Sequence, residues 1–223
     1  MACIVIRIFF LIIVFNGFEI SMICAEWITI VKDIVVALAA GITAIVAYKG
    51  INKWQSELHG KAEFEVARDL MRATYKLRDE LAYCRSPFVS SNEFPENYNS
   101  SESVSNKENA DAWAHVYSKR WNPVGDAIRQ FDMAVLEAEA LWGADIKNKA
   151  MELRQCAHTL HIDIDAFIAD KLHGGQDFEN KDFAEKVRSS LNDIKLGDEN
   201  PLTKRILAAI SQIEIELKNH LKR

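Results

Sequence analysis

Hydrophobic positions follow two regimes along this chain. Up to about residue 51 they crowd into nearly unbroken runs; beyond it they recur at helical spacing between polar residues. The strongest run is Trp27 to Ile51, WITIVKDIVVALAAGITAIVAYKGI. As a helix rising 1.5 Å per residue it reaches roughly 37 Å, enough to cross the hydrocarbon core of a bilayer with some tilt. Residues Ile34 to Tyr48 carry no charge, and Trp27 and Tyr48 stand where interfacial aromatics belong. The pattern predicts a transmembrane helix over 27–51; a buried core helix is the bland alternative. Lys49, Lys53 and Lys61 follow the span, whereas Glu19 and Glu26 precede it. The positive-inside rule then places everything after the span in the cytoplasm.

The first apolar stretch, IVIRIFFLIIVFNGF, admits three readings. Residues 1–21 suit a signal sequence, although the small-residue cleavage pattern around Met22-Ile23-Cys24-Ala25 is poor. They suit a first transmembrane helix reaching Cys24, which would make a hairpin with both ends inside. They also suit an over-extended start, with translation beginning at Met22. All three leave the main domain in the cytoplasm.

Beyond residue 52 the apolar positions mark amphipathic helices. His59-Gly60 is a candidate joint, after which Phe64, Ala67, Leu70, Met71, Thr74, Leu77 and Leu81 repeat at i, i+3, i+4 and i+7 until Ser86-Pro87. Residues 86–108, rich in Ser, Asn and Glu, read as a mobile loop. Its Asn99-Ser100-Ser101 pattern has no glycosylation meaning in a cytoplasmic loop. A helical region begins near Ala110, and Pro123 is expected to open a new segment carrying Val124, Ala127, Ile128, Phe131, Val135, Ala138, Leu141 and Trp142. After Gly143 a helix from Ala144 to about His173 buries Leu153, Ala157, Leu160, Ile164, Phe167 and Ile168, and Gly174-Gly175 stops it. A short helix fits Phe183 to Leu191. The last opens after Pro201 on Ile206, Ile210, Ile213, Leu217 and Leu221, with Lys218, Lys222 and Arg223 at its end. The expected fold is therefore all-α: one N-terminal span, or two, continuing into a cytoplasmic four-helix-type bundle over 52–223.

Composition changes this picture little. A net charge of −5 and a pI near 5.7 argue against duplex nucleic acid as partner. Nine Gly and four Pro do not suit a turn-rich β architecture. Cys3, Cys24, Cys84 and Cys156 form no C-x-x-C pair and read as small hydrophobes in a reducing compartment.

Chemistry-bearing residues are few. Within the span Ala37, Ala40, Gly41, Ala44 and Ala47 share one side, opposite Val35, Leu38, Ile42, Ile45 and Val46. Small residues let helix backbones approach in lipid, so Ala37, Gly41 and Ala44 read as a packing face. Asp33 lies on that side beside Lys32, both inside the apolar run. They either snorkel to the outer interface or serve a pore mouth. Arg68, Arg72 and Lys76 form a ladder that could grip a phosphate or nucleotide, but Glu65, Asp69 and Asp79 favour ordinary ion pairs. His158, His161 and Asp165, near Cys156, are the only cluster with metal-ligand spacing, and a polar flank of a core helix explains them better. Trp113, Tyr117 and Trp121 share a stripe that could stack on a ring or form core. There is no P-loop, no G-x-S-x-G, no H-E-x-x-H and no dinucleotide fingerprint, so neither an enzyme nor a cofactor is expected.

Trp54, Leu58, Gly60, then Phe64-Glu65-Val66-Ala67-Arg68-Asp69-Leu70, Tyr75-Lys76-Leu77-Arg78-Asp79 and Arg85-Ser86-Pro87-Phe88 follow the apolar span in order. This stretch resembles a group of uncharacterised bacterial proteins with one N-terminal span and a cytoplasmic helical region. The likeness covers about a quarter of the chain and brings no site with it. It implies a bacterial cell membrane and a start near Met22. The architecture is also similar to small membrane effectors of anti-phage defence, in which a helical cytoplasmic part gates an oligomeric pore. The resulting expectation is a homo-oligomeric membrane effector or ion channel, with lipid, further copies of itself and a small-molecule or nucleotide ligand as partners. The alternative is a membrane-tethered interaction or sensor module with a passive anchor.

Overall fold

A computed structural model describes residues 2–98, 104–175, 181–193, 200–218 and 220–221, with side chains at Trp27 and from Thr29 onward. The Asn99-Ser100-Ser101 pattern, Lys222 and Arg223 lie outside the described residues, as do the side chains of Cys3 and Cys24. The chain is all-helical, and among the described residues there is no strand. It divides into two compact units, Met1–His59 and Gly60–Arg223.

The first helix, α1, spans Ala2–Cys84. It makes no turn at Met22–Glu26, so the two apolar stretches form no hairpin. It does not break at His59-Gly60 either, although the division between the units falls there. In the first unit every described side chain from Trp27 to His59 is exposed. Its apolar window has a mean hydropathy of 2.2, and none of it is buried among the described residues. It is long and apolar enough to cross a membrane.

The second unit joins the end of α1 to α2 (Asn106–Trp142), α3 (Ala144–Leu172), α4 (Lys181–Leu191) and α5 (Pro201–Leu217), with a 3₁₀ turn at Ser91–Glu93. Ala67, Leu70, Leu77 and Leu81 of α1 share one core with Val124, Phe131 and Ala138 of α2, Leu153, Leu160 and Ile164 of α3, Val187 and Leu191 of α4, and Ile206, Ile213 and Leu217 of α5. The ends of these helices are specified locally. Ser105 accepts a hydrogen bond from the Glu108 amide while the Glu108 carboxylate accepts from the Ser105 amide, a capping box. That box starts α2 at Asn106, earlier than the apolar pattern near Ala110 suggests. Gly143 separates α2 from α3 with φ +84° and ψ −170°, a conformation open essentially to glycine alone. Asn200 caps α5 by accepting from the Leu202 and Thr203 amides, with Pro201 in the first turn.

Pro123 does not open a new segment; α2 runs straight through it. The proline removes one helical hydrogen bond. Burial of Val116, Arg120, Val124 and Ala127 on both sides of it holds the helix together across the gap.

Candidate functional site

The span residues come first. Asp33 and Lys32 are exposed and paired with each other at 3.4 Å. Ala37, Gly41 and Ala44 are likewise exposed. A Cβ built on Gly41 would meet nothing within 4 Å. The Thr43 hydroxyl donates to the Ala39 carbonyl at 2.8 Å, which satisfies its donor within the helix.

The basic ladder is engaged along its length. Arg68 and Arg72 both reach the Asp69 carboxylate, at 3.3 and 3.2 Å, and Lys76 donates to the Gln130 side chain on α2 at 3.1 Å. Arg78 donates to Asp79 and lies over the Tyr75 ring. In turn Tyr75 donates to Glu214 of α5 at 2.7 Å, and that bond is the chief reason its phenol is held above its ordinary pKa.

His158, His161 and Asp165 are exposed, while Cys156 is buried beside them. Burial pushes the Cys156 thiol up to about 11, which keeps it protonated and a poor ligand. No three His, Cys, Asp or Glu side chains converge on a metal position among the described residues. His161 instead stacks on Trp121, with ring centroids 4.5 Å apart. Together with Tyr117 and Asp165 they line a shallow cleft of about 200 Å³ between α2 and α3. His158 does not line it. Trp113 and Tyr117 pack edge-on to Phe167, and Trp113 also meets Phe94. Burial raises the Tyr117 phenol to about 12.

Two buried arginines organise the unit, and neither stands out as a site in the sequence. Arg120 donates to both Glu93 carboxylate oxygens at 2.5 and 3.0 Å, and to the Ser86 and Phe88 carbonyls at 2.7 and 2.6 Å. It folds the segment after α1 against α2. The bond to Arg120 holds the Glu93 carboxyl below its usual range. Arg85 donates to the Ser190 carbonyl, the Thr203 hydroxyl and the Asn200 side chain at 2.7–2.9 Å, with Asp193 at 3.8 Å. That joins the end of α1 to the end of α4 and the start of α5. Both arginines fall within apolar stripes, Arg85 four residues after Leu81 and Arg120 midway between Val116 and Val124. A charge in the register of a core stripe is the sequence signal for a buried staple.

A larger cleft of about 740 Å³ lies among α3, α4 and α5, with Lys186, Arg188, Arg205 and Glu185 in its wall. Arg205 is held there by Glu152 at 2.7 Å. No family model, no curated protein and no solved structure matches the chain.

Proposed function

We propose that this chain is a homo-oligomeric membrane effector or ion channel of the bacterial cell membrane. Several copies of the span line the pore, and the remainder, a four-helix-type bundle in the cytoplasm, controls it. The observation that carries this reading is the apolar helix itself, which is wholly uncovered among the described residues while an ionisable pair and a row of small residues interrupt its surface. Lipid needs neither feature. A row of small residues lowers the distance of approach between helices. An acid inside an apolar run is favoured where it faces water or a bundle interior. Reconstitution into dye-loaded liposomes tests the reading. The wild-type chain releases dye or conducts, and Asp33→Ala and Gly41→Leu reduce that activity. Unchanged conductance and assembly in both variants contradict it.

A passive anchor is the second reading, and one observation favours it. Asp33 already has Lys32 at 3.4 Å, so the pair is neutral overall and can reach an interface without any partner helix. Replacing the span by an unrelated one separates the two: a passive anchor tolerates the exchange, and a pore-forming span does not. Defence against phage is the biological setting proposed for either case, on the likeness of architecture alone.

A further inference from the structure

The face that carries the small residues does not end with the span. Counting from Asp33 in steps of four and three gives Ala37, Ala40, Ala44, Ala47, Ile51, Trp54 and Leu58, an unbroken heptad register. All of these lie in one helix of one compact unit. Up to Ala47 the seam is small; from Ile51 on it is large and apolar. Ile51, Trp54 and Leu58 are 55%, 61% and 57% exposed, so nothing among the described residues covers them. The opposite face changes in the reverse sense, from Leu38, Ile42 and Ile45 to Lys49, Lys53 and Ser56. Lys53 pairs there with Glu57 at 3.8 Å.

We propose that Ile51, Trp54 and Leu58 form a parallel self-pairing seam, in which each copy packs on the same residues of a second copy. The proposal rests on the reading of the span as a self-assembling helix and extends it past the membrane. Three points select a second copy as the occupant. The helix is unbroken between the span and His59, so this segment carries on from the span without the break that would let it fold back as a separate helix on the lipid surface. Leu58 stands roughly 15 Å beyond Tyr48 at 1.5 Å per residue, whereas the polar layer of a leaflet is only about 6 Å deep. Trp54 and Leu58 therefore clear the lipid when Tyr48 sits at the interface. Finally, copies anchored in one membrane are parallel and at the same height, so rotational symmetry places each seam residue opposite its own equivalent. In water the large apolar residues supply the burial that drives pairing, while in lipid the small ones allow close approach; one register serves both solvents.

Disulfide scanning in native membranes tests this, using the full chain with Cys3 and Cys24 replaced by serine. Cysteines go in singly at the seam (Ile51→Cys, Trp54→Cys, Leu58→Cys), on the opposite face (Lys49→Cys, Lys53→Cys, Ser56→Cys) and within the span (Ala44→Cys). Oxidation is expected to give about fivefold more dimer at the seam than on the opposite face, because a disulfide requires Cα atoms within about 7 Å. Equal dimer on both faces overturns the seam. So does its absence at positions 54 and 58 while Ala44→Cys still cross-links; the span then assembles but pairing stops at the membrane. If Ala44→Cys also stays monomeric, the seam and the self-assembling span both fail.

Discussion

Replacing Arg120 by methionine isolates the electrostatic part of the staple that closes the segment after α1. Methionine keeps the length of the aliphatic stem and removes the guanidinium. That deletes four hydrogen bonds and leaves the Ser86 and Phe88 carbonyls and a partly buried Glu93 carboxylate without their donor. Removing one partner of a buried pair costs about 3–5 kcal/mol. Water can reach part of Glu93, which lowers the expected loss to about 2–4 kcal/mol. The sign of the pH dependence follows from Glu93. Arg120 holds its carboxyl below the unfolded value, so the stabilisation is complete above the usual carboxylate range and is lost as pH falls through the folded value. Urea unfolding of the detergent-solubilised full chain, followed by circular dichroism at pH 7 and at pH 3, measures both effects. The deficit of Arg120→Met is expected to be large at pH 7 and to shrink at pH 3. A loss below about 0.5 kcal/mol at pH 7, or one that does not change with pH, shows that Arg120 is not a stabilising electrostatic staple.

Three further outcomes are expected. Gly143→Ala forces a side chain onto a backbone with φ +84° and ψ −170° and destabilises by about 1–3 kcal/mol in the same assay, although a Cβ there meets no neighbour. Asp163 is buried with Oδ2 unpartnered; burial raises its pKa, against the Ser190 hydroxyl and Lys186, which lower it. A carboxyl raised on folding weakens stability as pH rises through its folded value, so Asp163→Asn stabilises at pH 7 by about 1 kcal/mol, and the gain fades toward acid pH. Cys84 and Cys156 are buried, with thiols pushed up to about 11, so both resist maleimide at neutral pH until denaturant is added, as mass spectrometry of the labelled protein reads directly.

Much of the helical plan is legible in the sequence because its signals are local. The apolar run, the i, i+3, i+4 stripes, Gly143 and Pro201 each act within a few residues, and the helices they mark are present. Pro123 misleads because its cost is local while the packing that outweighs it comes from other helices. Asn106 to Asn109 escape the apolar pattern because a capping box rather than burial starts α2 there. The partners of Arg85 lie more than one hundred positions away, at Ser190, Asn200 and Thr203, so periodicity alone cannot name them. The stacking of Trp121 on His161 is equally invisible, since it depends on how α2 lies against α3. Arg68, Arg72 and Lys76 differ: the carboxylate that holds two of them is itself on the same helix, within reach of sequence reasoning.

In the proposed function the span is a surface for other copies of the chain. The most direct measurement is the mass of the full-length protein in lipid nanodiscs, determined for the wild type and for Gly41→Leu. A homo-oligomer of single, defined stoichiometry is expected for the wild type, shifted toward monomer when leucine fills the space open beside Gly41. A wild-type chain that remains monomeric at every protein-to-lipid ratio rules out a self-assembling span.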